Sequence, residues 1–325
     1  MLRDCKVSLL AIHRDILYDV GIKGREGVFS MNRKEQVKYC IQKVVAFTLI
    51  YGISAVVFEG LILAIFFIQG YDVLHGVLPE GEMVARIPYY GMLGFVLVTY
   101  LYVRIIEKRK LAQLYVVWNK KLIVTVIKST IYGMVMVGGC ILILMFTGLA
   151  SVEGVRKPSI LSTLLWGMAY LIQSCAEEFM CRGFLQTSLA RKVKPQIAIL
   201  ISSIVFAAPH FSGLSEMSLG NKLIAILNLL LVSFLFSLAM MKDDSLGSSC
   251  GLHFGWNFCL GTLLGLGVSG TDATGGILQV RVSTKYPILT GGAYGIEASL
   301  LLLPELILVL LYYSYRIRSK KDNGI

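Results

Sequence analysis

Long apolar runs constrain this chain more than any other feature of its sequence. Of its 325 residues, 56% are hydrophobic and only 16% are charged, and the mean hydropathy is +0.71. These values exclude an ordinary soluble domain. A helix needs about 20 mainly apolar residues to cross a bilayer, and by that rule we expect about eight spans. The predicted spans lie near residues 43–69, 88–106, 124–149, 159–181, 196–212, 222–241, 247–268 and 296–315.

Basic residues are distributed unevenly among the connections, and this predicts an orientation. They are concentrated in the N-terminal segment, after the second and fourth spans, and in the C-terminal tail, whereas YDVLHGVLPEGEMVAR is mildly acidic. Because Lys and Arg collect in cytoplasmic loops, we expect an all-α, polytopic transmembrane helix bundle with both termini in the cytoplasm. The net charge of +11 has the same origin. The sequence lacks a stripe of basic residues interleaved with aromatic ones, which is the pattern that would indicate a nucleic-acid partner.

The chain divides into four parts, without an internal repeat or a soluble second domain. Residues 1–42 form a basic cytoplasmic segment with the spacing of an amphipathic surface helix, although Met31 would also serve as a start. Residues 43–154 hold the first three spans, 155–305 hold a polar-bearing core, and 306–325 end the last helix in a basic tail. The seven cysteines show no paired spacing, so reduced thiols are expected.

Three polar clusters lie within or beside predicted spans, where a charge is costly unless it is paired or solvated. They are Glu177, Glu178 and Arg182 in EEFMCR, Phe206 and His210 in FAAPH, and His253 and Asn257 in HFGWN. A spacing of four residues places His253 and Asn257 on one helical face. Glu177 and Glu178 point about 100° apart. If Glu178 pairs with Arg182, Glu177 is left to face elsewhere.

A free carboxylate, two histidines and an amide together favour activation of water. A positioned carboxylate can act as general base and a histidine can share the proton, while an amide or a second histidine can donate to an oxyanion. Glu177, His210 and His253 also have the composition of a three-ligand zinc site, and the spacing leaves metal-bound and metal-free water open. HExxH does not occur, so the sequence does not indicate a soluble zinc protease of that type.

Each cluster also has a purely structural interpretation. An intramembrane histidine is often a hydrogen-bonded packing residue, and Asn257 alone can link helices. Glu178 and Arg182 can form an ion pair with no role in chemistry. Co-occurrence on three consecutive polar-bearing spans favours a functional site. His13 and His75 lie in predicted solvent-facing segments and carry no functional weight.

The three motifs resemble those of the CAAX-protease and bacteriocin-processing family of intramembrane endopeptidases, related to the type II CAAX prenyl endopeptidases. That family has EExxxR, then FxxxH, then HxxxN or HxxxD on successive core helices. The resemblance covers about residues 155–305, and TGGAYGIEASLL near 290–301 is similar to a segment common in bacterial members.

The resemblance implies roles for individual residues. Glu177 would be the general base assisted by His210, and His253 and Asn257 would stabilise the oxyanion. Three further residues would have supporting roles beside them: Glu178, Arg182 and Phe206. The implied activity is hydrolysis of a peptide bond in a membrane-associated peptide or protein, with no cofactor required and zinc as the alternative. A bacterial plasma membrane is the expected location.

Two other functions stay open at this point. The chain could be a non-catalytic membrane partner, such as a bacteriocin-immunity protein that uses the same fold to bind. It could also be a proton-coupled transporter with Glu177 and His210 in a relay. One geometric conflict remains as well. The predicted boundaries put Glu177 and His253 near the cytoplasmic side, but His210 about 20 Å along its helix.

Overall fold

A computed structural model describes residues 31–79, 81–215, 217–271 and 276–322. Most of the predicted basic segment 1–42 therefore lies outside the described residues. The described chain is mostly helical, as the sequence predicts. Its longer elements are α1 (Arg33–Ile68), α2 (Glu82–Leu101), α3 (Lys121–Phe146), β1 (Ala150–Val155), α4 (Ile160–Glu178), α5 (Pro195–Ala207), α6 (Leu219–Asp243), α7 (Leu246–Phe258), β2 (Leu278–Val282) and α8 (Leu302–Asp322).

A helix occupies each of the predicted spans, but not all of these helices have the length and composition of a membrane span. Within the described residues, five do so: Arg33–Ile68, Val84–Ile106, Lys121–Phe146, Pro195–Leu214 and Leu219–Asp243. The other three helices are α4, α7 and α8. Two of them carry polar site residues, and α8 ends in a charged tail. The count of eight spans therefore stays a prediction.

Helix α1 begins ten residues before the predicted start of the first span at residue 43. Asn32 caps it by accepting a hydrogen bond from the Glu35 N–H at 3.0 Å, and Glu35 accepts one from the Asn32 N–H at 2.9 Å. This capping box satisfies donors that the first helical turn leaves free. The 36 residues extend about 54 Å, which exceeds a hydrocarbon core of about 30 Å.

Helix α4 is longer than predicted, and this removes the geometric conflict over His210. It continues through a π-helical stretch, Phe179–Gln186, and a last turn, Thr187–Leu189, whereas the sequence prediction ended it at residue 181. Glu177 therefore lies about 20 Å from the end of this helix, and His210 lies about as far beyond Pro195, which starts α5. The two side chains are at similar depth.

Close backbone contact between α3 and α7 positions the helix that carries the third motif. A Cβ atom at Gly255 would lie 2.0 Å from the carbonyl oxygen of Thr130, and one at Gly133 would lie 2.2 Å from that of Leu252. Small residues permit such approach between helices in a membrane. Larger side chains at these positions would push α7 away from α3 and displace His253.

Two short strands, which the sequence analysis did not predict, connect distant parts of the chain. β1 pairs with β2 in antiparallel register from Ala150 opposite Val282 to Val155 opposite Leu278, with an irregularity between Val152 and Gly154. The pairing attaches the connection after α3 to the segment between α7 and α8. That segment therefore has a defined position over one end of the bundle.

A buried ion cluster joins the other end of the bundle. Glu107, just after the end of the second membrane span, accepts hydrogen bonds from Lys43 at 2.6 Å, from Arg109 at 3.0 Å and from Ser188 at 2.9 Å. These partners belong to α1, to the loop after α2 and to the end of α4. Burial raises the pKa of Glu107, but the bonds from Lys43 and Arg109 outweigh it and leave that pKa below its usual value.

We expect the Glu107→Gln substitution to lower the free energy of unfolding by about 3 kcal/mol, because it leaves buried basic groups without their counter-charge. Since the pKa of Glu107 is lower in the folded chain, its contribution is present above the unfolded-state pKa of about 4.5 and is lost as pH falls through the folded-state value. Thermal unfolding of the detergent-solubilised wild type and variant, from neutral pH down through the folded-state pKa of Glu107, measures the loss of stability and its pH dependence.

Glu153→Gln is the matched control, since Glu153 pairs with Arg281 on the exposed face of the strands. Its loss should change stability by less than about 1 kcal/mol. A Glu107→Gln protein as stable as the wild type at neutral pH would contradict the role given to the cluster.

Candidate active site

A fully buried ion pair forms the base of the site. Arg182 donates from Nη1 to Oε1 of Glu178 at 3.0 Å, and neither side chain is exposed. Its Nη2 donates to the carbonyl oxygen and the hydroxyl of Ser233 on α6, at 3.0 and 2.5 Å. The guanidinium also lies 4.4 Å from the ring centre of Phe206 and 5.3 Å from that of Phe236. The pair expected from the spacing is thus present, and it connects α4 to α5 and α6.

His253 is held by the same ion pair. Its Nδ1 lies 3.0 Å from Oε1 of Glu178, and its ring stacks on Phe236 with centres 4.6 Å apart. Because an ionised carboxylate only accepts hydrogen bonds, Nδ1 carries the proton in this contact. The Nε2 atom faces Oε2 of Glu177 at 3.8 Å, beyond direct hydrogen-bond range.

Glu177 has a different environment from Glu178. Its side chain is 18% exposed, and its Oε1 accepts a hydrogen bond from Nε2 of Gln173 at 3.2 Å. Gln173 in turn accepts one from Nδ2 of Asn257 at 3.3 Å. The Oε2 atom of Glu177 is buried without a hydrogen-bond partner among the described residues. One carboxylate oxygen of Glu177 is therefore held by Gln173, and the other has no hydrogen-bond partner among the described residues.

His210 lies in the 3-10 turn that continues α5. Its Nδ1 donates to the carbonyl oxygen of Phe206 at 3.0 Å, which leaves Nε2 without a bond to the backbone of its own helix. The Phe206 ring centre lies 5.1 Å from that of His210 and 5.9 Å from that of His253. The Phe206 ring thus lies against both histidines.

Two adjoining cavities bring the predicted residues together, and both are lined by Phe206 and His210. The larger, about 50 Å³, is also lined by Glu177 and by side chains of α1 and α2. The smaller, about 20 Å³, is also lined by His253 and Asn257. A cavity of that size has room for about one water molecule. In the described part of the chain Glu177 and His210 share a cavity but no direct hydrogen bond.

Several residues around the site were missed by sequence reasoning. Gln173 lies four residues before Glu177, a spacing that would have placed both on one helical face. Trp256 lies inside the third motif, between His253 and Asn257. Glu297 belongs to the GIEASLL segment and lines the smaller cavity, although nothing in its spacing connects it to the motifs. Ser233 and Phe236, on α6, belong to none of the three motifs.

The three predicted zinc ligands are not arranged as a metal site. Within the described ranges, no three His, Cys, Asp or Glu side chains are grouped so that they could hold a metal ion. Zinc held by Glu177, His210 and His253 stays a prediction, because the Nδ1 contacts of His253 and His210 leave the Nε2 atom of each ring available.

Comparison with known families identifies the polar core. Residues 158–259 match the family described as Rce1-like, type II CAAX prenyl endopeptidase Rce1-like. The match supports membership of the CAAX-protease family for this part of the chain. This match confirms the resemblance inferred from the motifs, and it covers a little under one third of the chain, from α4 through α7. The family indicates a multi-pass membrane protease whose substrates are peptides or proteins. No curated protein and no solved structure matches the chain.

The two neighbouring glutamates are expected to differ in their effect on stability. Glu178→Gln should lower the free energy of unfolding by about 3 kcal/mol, because it leaves the buried Arg182 without a counter-charge. Glu177→Gln should cost less than about 1 kcal/mol, because Glu177 is partly exposed and has one neutral partner. Thermal unfolding of both variants in the same detergent makes the comparison. Equal losses for the two variants would contradict the assignment.

Proposed function

We propose that this CAAX-family protease is an intramembrane endopeptidase in which Glu177 activates a water molecule. The observation that supports this is the position of Glu177 at the cavity, with a free Oε2 that faces Nε2 of His253 at 3.8 Å. A general base needs a free lone pair within reach of water. Glu178 also has a free Oε2, but it is fully buried, paired with Arg182, and lines neither cavity.

In the proposed reaction, Glu177 takes a proton from water as the oxygen attacks the carbonyl carbon of the scissile peptide bond. The negative charge that forms on the carbonyl oxygen needs donors. Asn257 has a second amide N–H besides the one given to Gln173. His253 donates from Nε2 only when both ring nitrogens are protonated, and its Nδ1 then keeps its bond to Glu178.

Collapse of the tetrahedral intermediate breaks the C–N bond and requires a proton on the leaving nitrogen. Glu177 holds the proton that it took from water. His210 shares a cavity with Glu177, and its Nε2 is available because Nδ1 is bonded to the Phe206 carbonyl. We assign His210 to the transfer of this proton, as an assisting acid and base. No metal or other cofactor has a step in this scheme.

We further propose eight spans with both termini in the cytoplasm of a bacterial cell. The basic residues Arg191, Lys192 and Lys194 connect α4 to α5, which supports a cytoplasmic location for that connection. The site lies about 20 Å along both helices from there. Cleavage would then occur at bilayer depth, in a peptide or protein segment that enters the membrane.

Loss of one cleavage product is the expected result of Glu177→Gln. Membrane and secreted peptides are compared by mass spectrometry in cells that express wild type or variant at matched levels. We expect a product with the wild type and a reduction of at least about 100-fold with the variant, the range for loss of a general base. Glu305→Gln, a carboxylate on α8 away from the site, is the matched control and should retain the product.

Identical peptide profiles for wild type and Glu177→Gln would overturn the proposal. If a phenotype of the wild type then persisted in the variant, the protein would be a non-catalytic membrane partner, as in bacteriocin immunity. If a solute flux driven by a proton gradient were lost instead, Glu177 and His210 would belong to a transporter relay.

A further inference from the structure

Asn228 on α6 is a buried amide outside the three motifs, and its side chain lines the smaller cavity. Its Nδ2 donates to the carbonyl oxygens of Glu297 and Ser299, at 2.9 and 2.8 Å. Because a backbone carbonyl oxygen only accepts hydrogen bonds, both contacts require the nitrogen of the amide and fix its orientation. The N–H groups of the Asn228 side chain are therefore used within the protein.

The segment that accepts these two bonds is held in place by further contacts. Ser299 donates from its hydroxyl to the carbonyl oxygen of Leu289. The backbone N–H of Leu300 donates to the carbonyl oxygen of Ile288 at 2.9 Å. Asn228 thus binds a backbone of defined position, and its amide cannot turn over without the loss of two hydrogen bonds.

The oxygen of the same amide has no such partner. Oδ1 of Asn228 is buried and accepts no hydrogen bond from the described residues. Among the described side chains that line the smaller cavity, only Asn228 has a buried polar atom without a hydrogen-bond partner. A buried acceptor without a donor costs free energy. This oxygen therefore indicates a position where the donor group of a ligand binds.

The smaller cavity offers a ligand two complementary groups, from two helices that pack against each other. Asn257 on α7 has the second amide N–H that the proposed reaction directs to the carbonyl oxygen of the substrate, and Asn228 on α6 has the unpaired acceptor. Both amides are uncharged. A volume of about 20 Å³ has room for about one water-sized group, which suits a polar main-chain group and excludes a large side chain.

An extended peptide presents a donor and an acceptor on one edge. In a strand, the N–H and the C=O of one residue point to the same side, and those of the next residue point to the opposite side. A residue whose carbonyl oxygen contacts Asn257 would therefore direct its own N–H to the same wall of the site. Asn228 lies in that wall.

We propose that Asn228 is a substrate-binding residue, whose Oδ1 accepts a hydrogen bond from the main-chain N–H of the residue that supplies the scissile carbonyl. This inference rests on the proposed function and adds a requirement of the substrate. The peptide binds in an extended conformation and is recognised through its main chain at this residue. Proline, which has no N–H, is then excluded there.

An ester in the substrate tests this contact without a change in the protein. The probe is a synthetic peptide that spans the cleavage site found by mass spectrometry, and the enzyme is the full chain in lipid nanodiscs. Replacing the residue before the scissile bond by its α-hydroxy acid exchanges one N–H for an oxygen. We expect kcat/KM at the scissile bond to fall on the order of tenfold or more, because Oδ1 then faces an acceptor.

The same exchange one residue earlier in the peptide is the control for the chemistry of the ester. That N–H points to the opposite side of an extended chain, so kcat/KM should change by less than about twofold.

Substitution of Asn228 identifies the partner of the N–H. Asn228→Ala should lower kcat/KM for the all-amide peptide and bring the amide and ester peptides to within about twofold of each other, because the acceptor is gone. Thermal unfolding verifies that the variant is folded, and Asn228→Ser replaces it if it is not.

Asn221→Ala is the matched control variant. Asn221 is also a buried asparagine of α6 with an unpaired Oδ1, but it lines neither of the two cavities. This variant should keep the full difference between the amide and ester peptides.

The proposal is overturned if the wild type cleaves the amide and ester peptides equally, or if Asn228→Ala keeps the full difference between them. In both cases the all-amide peptide is still cleaved, so the proposed function stands. Failure of the wild type to cleave that peptide would overturn the proposed function and the role of Asn228 together.

Discussion

The buried pair of Glu178 and Arg182 is the interaction on which the arrangement of the core depends. Two charges without solvent exposure need pairing and hydrogen bonds to offset their lost hydration. The guanidinium is paired with Glu178, donates to Ser233 and lies against two aromatic rings, and Glu178 also bonds His253. Helices α4, α5 and α6 therefore meet at one cation, and α7 joins them through the bond between His253 and Glu178.

This pair also explains how adjacent glutamates acquire different roles. Residues one apart on a helix point about 100° apart, so only one of them can face the guanidinium. Glu178 does so and is enclosed, and it orients His253 by holding its Nδ1. Glu177 turns to the cavity, where Gln173 holds one oxygen and leaves the other free. The structural interpretation of the motif therefore applies to Glu178, and the proposed chemical one to Glu177.

The site combines parts of the chain that are far apart in sequence. Three motifs reach it along α4, α5 and α7, whereas Glu297 reaches it from the segment that the paired strands and Asn228 hold in place. Contacts of α1 and α2 close the larger cavity from another direction. Helices outside the family match therefore contribute to the walls of the site.

The sequence by itself determined the helical membrane character, the three motifs and the pairing of Glu178 with Arg182, because hydropathy and spacing along one helix are local properties. It misplaced the start of α1, where the capping residues Asn32 and Glu35 are polar, and the end of α4, where the helix continues with a different period. Only the tertiary structure decided that Glu177 and His210 share a depth, and that Glu297 belongs to the site. Those relations join segments far apart in sequence, and no periodicity within one helix encodes them.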